Sequence, residues 1–181
     1  MEKNRAVFLD RDGVLNRAYL KNGRPYPPMS LSELEILPGV SESLQALKSA
    51  GFKLIVVTNQ PDVARGFVEK KVVEEMNNYL LHKLNIDEFK TCYHDDANAC
   101  SCRKPKPGAL IEAAHQHSIE LYSSYMVGDR WRDIEAGQNA GCKTIFIQYN
   151  YAEMQPDLPT YTVKNLTEAT QKILGEMQWK K

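Results

Sequence analysis

Residues 6–16 read AVFLDRDGVLN. An apolar run centred on Val7 to Leu9 leads directly into Asp10, and Asp12 and Gly13 follow within three positions. Where strands alternate with helices, ligands gather at the carboxyl ends of the strands, so a polar residue just after an apolar run marks a place for chemistry. Alone, Asp-x-Asp-Gly reads equally well as a turn, because Asp and Gly are residues that tight turns favour. The rest of the chain decides between the two.

Outward from that stretch, short β-branched runs alternate with segments of helical period. KLIVVT (53–58), the run near Phe89 to Tyr93, YMVGD (125–129) and KTIFI (143–147) read as strands, and YTVKNLTEATQKIL (161–174) as a short strand with a closing helix. After Pro38-Gly39, Val40, Leu44 and Leu47 fall at helical spacing and Gly51 supplies the stop. Residues 68–84 read as an amphipathic helix that buries Val72, Met76, Tyr79, Leu80 and Leu84. Pro107 is expected to open a helix running towards His117, and residues 132–139 form another. The segment KNGRPYPP (21–28) reads as an ordered loop. Strands separated by helices predict an α/β fold with right-handed crossovers: a doubly wound, mainly parallel sheet with helices on both faces. The 181 residues suit one domain spanning 1–181, with no repeat or low-complexity linker.

Twenty-three Lys plus Arg balance twenty-three Asp plus Glu, so no overall field draws the chain to nucleic acid or to an acidic membrane, and any anion must be met by local charge. The apolar run before Asp10 is too short for a signal peptide or a span, which predicts a cytoplasmic protein. Cys92, Cys100 and Cys102 crowd around His94, and in a reducing compartment that spacing favours a metal over disulfides. Cys142, alone, is expected to fill core. His82, His115 and His117 have no such company and are read as solvated or capping, and Asp95 and Asp96 as solvated loop residues.

Four strand ends carry unusual polar residues: Asp10 and Asp12, Thr58 and Asn59, Lys104 after the cysteine cluster, and Asp129. Carboxylates, a hydroxyl and a lysine converging on one place suit a divalent cation such as Mg²⁺ and a phosphate. The chemistry this set suits is phosphoryl transfer, in which a carboxylate attacks phosphorus and divides one hydrolysis into two displacements.

FLDRDGVLN, VVTNQ, the lysine of CRKPKPG and VGDRWRD, in that order, resemble the four motifs of the haloacid dehalogenase superfamily over roughly residues 6–147. The resemblance implies that Asp10 is the nucleophile and a Mg²⁺ ligand, and that Asp12 is the general acid and then base, with its carbonyl also meeting the metal. Thr58 and Lys104 would stabilise the phosphoryl group, Asp129 would complete the Mg²⁺ shell, and Asp133 would orient Lys104 or a metal-bound water. An aspartate at position 12 marks the superfamily's phosphatases and phosphomutases as opposed to its dehalogenases.

Within the superfamily, CxH followed by CxC-R-K-P-x-P-G resembles the small zinc-containing branch of heptose bisphosphate and histidinol-phosphate phosphatases. Cys92, His94, Cys100 and Cys102 would then hold a structural Zn²⁺ in a loop at 91–103, with no coordination position left open. The intervals from Asp12 to Thr58 and from Thr58 to Lys104 leave no room for a separate cap domain beyond a helix and a strand each. Arg103 and Arg130 are expected to contact a small phosphorylated metabolite, a sugar bisphosphate first, together with Arg11, Asn16, Asn59 and Gln60. Pro61-Asp62, where the heptose enzymes tend to have Ser-Gly, is a departure from that group's pattern. The heptose 1,7-bisphosphate is preferred over histidinol phosphate. A catalytically silent zinc-containing binding module and a phosphomutase are the alternatives of other classes, and a monomer is expected.

Overall fold

The computed structural model describes residues 3–178. Its centre is a six-stranded sheet, every neighbouring pair parallel, in the order β5-β4-β1-β6-β7-β8. The strands are β1 (Arg5–Leu9), β4 (Phe52–Asn59), β5 (Glu88–Cys92), β6 (Tyr125–Gly128), β7 (Lys143–Ile147) and β8 (Tyr161–Val163). The helices are α1 (Val40–Ser49), α2 (Lys70–Lys83), α3 (Gly108–Gln116), α4 (Trp131–Ala140) and α5 (Leu166–Gln178). No helix among the described residues is long and apolar enough to cross a membrane.

The central strands are continuous apolar runs because both faces of a parallel sheet are covered. Alternation along β1 divides the core in two: Val7 and Leu9 join the layer of Leu44, Leu47, Leu80 and Ile173, and Ala6 and Phe8 join the layer of Leu110, Ala113, Met126 and Ala136. Cys142 lies in that second layer, as core filler. The chain leaves β1 towards β4 and β5 and later returns to its other edge at β6, so β1 is the point at which strand order reverses. Its carboxyl end, flanked by those of β4 and β6, is the crevice where such folds bind ligands.

The loop at 21–28 holds a small antiparallel hairpin of β2 (Tyr19–Lys21) and β3 (Arg24–Tyr26). Its turn, Asn22-Gly23, has φ of 52° and 75°, the positive values a two-residue hairpin turn requires. Among the described residues, the hairpin and one short 3₁₀ turn are the regular structure between β1 and α1, and α2 is that between β4 and β5.

Helix α2 differs from expectation in its buried stripe, which is Val73, Met76, Asn77 and Leu80. Tyr79 is exposed and Val72 half-buried. Asn77 takes a core position because its amide joins Arg11 Nη1 to Thr91 Oγ1 (2.9 and 3.0 Å). Pro107 precedes α3 and accepts the bond from Ile111 N (3.0 Å) rather than being its first residue.

Helix α4 carries Asp133 and packs tightly on the sheet at Gly137. A Cβ there would lie 2.6 Å from Met126 Cβ and 2.8 Å from Thr144 Cγ2. Gly137→Ala is therefore expected to lose about 1–3 kcal/mol of unfolding free energy by overpacking, read from denaturant melts. A variant as stable as the parent would show that α4 can shift off the sheet.

Candidate active site

The β1 strand ends by delivering Asp10, whose backbone N–H donates to Val127 O of β6 at 3.0 Å. From the other side of the chain, Lys104 brings a side chain that is only 2% exposed. Its Nζ lies 2.8 Å from Asp10 Oδ1 and 2.6 Å from Asp133 Oδ1, and donates to Val57 O at 2.6 Å. Burial alone would lower the lysine, but Asp10 and Asp133 override it and hold the ammonium charged. Burial pushes Asp10 up to about 6 despite Lys104, with Asp133 and Asp12 adding to the rise.

Carboxyl groups of Asp10, Asp129 and Asp133 converge, with one oxygen from each lying within 4.8 Å of the others. Their hydrogen bonds divide these oxygens. Asp133 is occupied on both, by Lys104 Nζ and by the Arg130 N–H (3.0 Å). Asp129 Oδ2 accepts from the Tyr151 hydroxyl at 2.8 Å, whereas Asp129 Oδ1 is buried without a partner. An orphaned, buried carboxylate oxygen beside Asp10 fits a hard cation, and the donor set is all oxygen.

Asp12 stands apart from that group. Its two oxygens accept from Arg11 Nε and Nη2 (3.1–3.3 Å), from Asn16 Nδ2 (2.9 Å) and from Gln60 Nε2 (2.8 Å). Three of the expected substrate contacts lie here. Arg11 is wholly buried between Asp12 and Asn77, and Asn16 and Gln60 are buried with their amides turned onto Asp12. All three hold the aspartate through hydrogen bonds. Gln60 Nε2 also donates to Thr58 Oγ1 (2.9 Å), so the threonine hydroxyl keeps its own hydrogen for another acceptor. Asn59 lines the cleft but uses its amide on Lys104, exchanging two bonds with that residue's backbone (3.0 and 3.1 Å).

Above these residues lies a cleft of about 320 Å³ walled by the hairpin and by the cysteine loop. Arg103 and Arg130 line it, and each is held by a carboxylate: Arg103 Nε by Asp96 (2.9 Å) and Arg130 by Glu153 (2.9 Å). Asp96, read from the sequence as a solvated loop residue, also lies 3.5 Å from Arg132. Sequence reasoning missed Arg24, Arg65 and Arg132, which complete the arginine lining. It also missed Tyr149, Tyr151 and Glu153, which follow the end of β7; the strand-end rule, applied to KTIFI, would have pointed there.

Cys92, His94, Cys100 and Cys102 form a second cluster. Cys92 Sγ lies 3.6 Å from His94 Nδ1 and 3.8 Å from Cys100 Sγ, and Cys102 Sγ lies 3.5 Å from His94 Nδ1. Burial pushes Cys92 up to about 12. Cys100 is brought down to about 7 despite its desolvation, chiefly by the Arg103 N–H. Thiols and an imidazole at this separation suit a tetrahedral metal site. Of the histidines outside it, His117 is half-buried and Nε2 lies 2.8 Å from Glu88 Oε2.

A haloacid dehalogenase-like hydrolase model matches residues 28–141. The D-glycero-beta-D-manno-heptose-1,7-bisphosphate 7-phosphatase of Helicobacter pylori (strain ATCC 700392 / 26695) is 37% identical over 151 residues, 79% of this chain and 83% of its own. The enzyme of that name from Escherichia coli (strain K12) is 33% identical, covering 77% and 78% respectively. A crystal structure of D,D-heptose 1,7-bisphosphate phosphatase from B. bronchiseptica, complexed with magnesium and phosphate, superposes with a TM-score of 0.82 at 26% identity, over 95% of this chain and 99% of that one.

The buried carboxylates carry a cost that can be measured without any ligand. Burial, then Asp10 and Asp133, raise the Asp129 carboxyl well above the ordinary range. Ionising it therefore destabilises the folded chain at every pH above the unfolded value near 3.9, increasingly so up to the raised folded value, and not below. In Mg²⁺-free buffer Asp129→Asn is expected to melt above the parent at pH 8, with the gap closing towards pH 4. Superimposable melting curves at pH 8 would contradict this reading.

Proposed function

The chain belongs to the haloacid dehalogenase-like hydrolases, and on that premise we propose that it is a Mg²⁺-dependent phosphatase of a small phosphorylated sugar, cleaving the 7-phosphate of D-glycero-D-manno-heptose 1,7-bisphosphate. The observation that carries the reading is the unpartnered Asp129 Oδ1 beside an Asp10 whose Oδ1 is already held by Lys104. Asp10 and Asp129 would hold Mg²⁺, with the Asp12 carbonyl as a third ligand, and Asp133 would hold Lys104 in place. When bound, the cation would neutralise charge on the phosphoryl oxygens.

Asp10 would attack phosphorus as the bond to the sugar oxygen breaks. Asp12 would give that oxygen a proton, then take one from the water that hydrolyses the aspartyl phosphate. Lys104 would offset the charge on Asp10 and the phosphoryl group, and Thr58 would donate its free hydrogen to a phosphoryl oxygen. Arg11, Asn16 and Gln60 would orient Asp12. Arg103 and Arg130, with Arg24 and Arg65, would meet the sugar and its remaining phosphate. The names of the relatives favour the heptose bisphosphate over histidinol phosphate.

Asp10→Asn is expected to lower turnover at least about 10³-fold while circular dichroism and melting temperature show an intact fold. Phosphate release should be compared by kcat/KM across heptose 1,7-bisphosphate, hexose phosphates and histidinol phosphate, with and without Mg²⁺. Preference for histidinol phosphate would overturn the substrate, and release that ignores both Mg²⁺ and Asp10 would overturn the mechanism.

The second cluster would hold a structural Zn²⁺, since Cys92, His94, Cys100 and Cys102 fill a tetrahedral shell with no position for a substrate. Cys100→Ser is expected to lower the zinc content and to melt several degrees below the parent. Equal metal content and equal melting temperature would remove the structural role.

A further inference from the structure

Beyond the motif residues, the segment after β7 reaches back over the site as a strap. The Tyr149 hydroxyl donates to Gly13 O at 3.1 Å, and the Tyr151 hydroxyl donates to Asp129 Oδ2 at 2.8 Å. The Ala152 N–H donates to Gly23 O at 2.7 Å, and Glu153 accepts from Arg130 Nε at 2.9 Å. The rings of Tyr149 and Tyr151 stack with centroids 5.3 Å apart and planes 22° from parallel. These contacts tie the strap to the turn after β1, to the hairpin and to the residue after Asp129, so the position of Tyr151 is fixed from several sides.

We infer that Tyr151 is a positioning residue for the cation site: by occupying Asp129 Oδ2 it fixes the carboxylate plane and presents Oδ1 alone to Mg²⁺. A carboxylate torsion is broad and roughly two-fold, so without an anchor the two oxygens exchange places. Asp129 is 1% exposed, and no other donor among the described residues reaches it. The close approach of Gly13, where a Cβ would lie 1.9 Å from Oδ2, closes the space on that side. A carboxylate serving structure alone would have a donor on each buried oxygen; this one has a donor on one oxygen only.

The inference rests on the proposed Mg²⁺ site, and its test needs no turnover. Calorimetric titration of the full chain, with its cysteine cluster loaded, should give a Mg²⁺ dissociation constant about tenfold or more weaker in Tyr151→Phe than in the parent. The Mg²⁺-induced rise in melting temperature should shrink in parallel. Any lost kcat should return at saturating Mg²⁺. Tyr149→Phe breaks the tie to Gly13 but leaves the Tyr151 hydroxyl, and is expected to bind Mg²⁺ within about twofold of the parent. Equal affinity in Tyr151→Phe and the parent, or an equal loss in both tyrosine variants, would overturn the inference. A parent that binds no Mg²⁺ would remove the proposed cation itself, a different failure.

Discussion

Everything at the crevice depends on keeping Lys104 charged while it is buried. An ammonium taken out of water is tolerated only when it is paired and its donors are satisfied. Asp10, Asp133 and the Val57 carbonyl provide that at 2.6–2.8 Å. The arrangement overshoots, however, because Asp129 joins Asp10 and Asp133: three carboxylates gather where one ammonium pairs with two of them. Burial raises these carboxyl pKa values and the neighbouring carboxylates add to the rise, as Asp10 at about 6 illustrates. A divalent cation would remove the excess, which is why stability without a ligand and affinity for one are opposite faces of the same packing.

The lysine comes from a loop, and loops are poor places from which to aim a charge unless something stiffens them. Two devices do so. Asn59, at the end of β4, grips both backbone groups of Lys104 and ties its position to the sheet. The cysteine cluster ends at Cys102, two residues earlier, and the turn after it closes against α3 through Gly108, whose N–H donates to Ser101 O at 3.1 Å. A Cβ at Gly108 would meet that carbonyl oxygen at 2.4 Å, so the approach is one that glycine permits. With the proposed metal held by its four donors, the cluster would act on the site through distance and rigidity.

The fold and the charged centre were legible because both rest on local rules. Apolar runs between helical periods specify the parallel sheet, and a polar residue at a strand end marks the crevice; Asp10, Asp12, Thr58 and Asp129 follow from it, whereas Lys104 lies in the loop beyond β5. Side-chain direction does not follow from such rules. Arg11, Asn16 and Gln60 sit where a ligand would be met, yet the need to satisfy a half-buried aspartate turns them inward, and the same demand places Asn77 in the buried stripe of α2. Tyr151 and Glu153 act across more than twenty residues on Asp129 and Arg130, through a segment with no periodicity to read. The hairpin was written in the sequence as Asn22-Gly23, but its flanking runs are too short and too polar to stand out as strands.

The arginines of the cleft show how an open site can gather guanidinium groups without being unstable. Arg103 and Arg132 share Asp96, Arg130 is matched by Glu153, and Arg65 lies 3.4 Å from Asp62. Arg24 makes no ion pair among the described residues and stands on the hairpin that forms the opposite wall. Pairs near the surface contribute about 0–1 kcal/mol each, so little is lost when an incoming anion takes one of the partners. A phosphate with two charges and three acceptor oxygens outcompetes a single carboxylate for a guanidinium fork. Under the proposed function the paired carboxylates would act as placeholders: they hold the arginines at the cleft, and a ligand bearing a second phosphate would gain by displacing them.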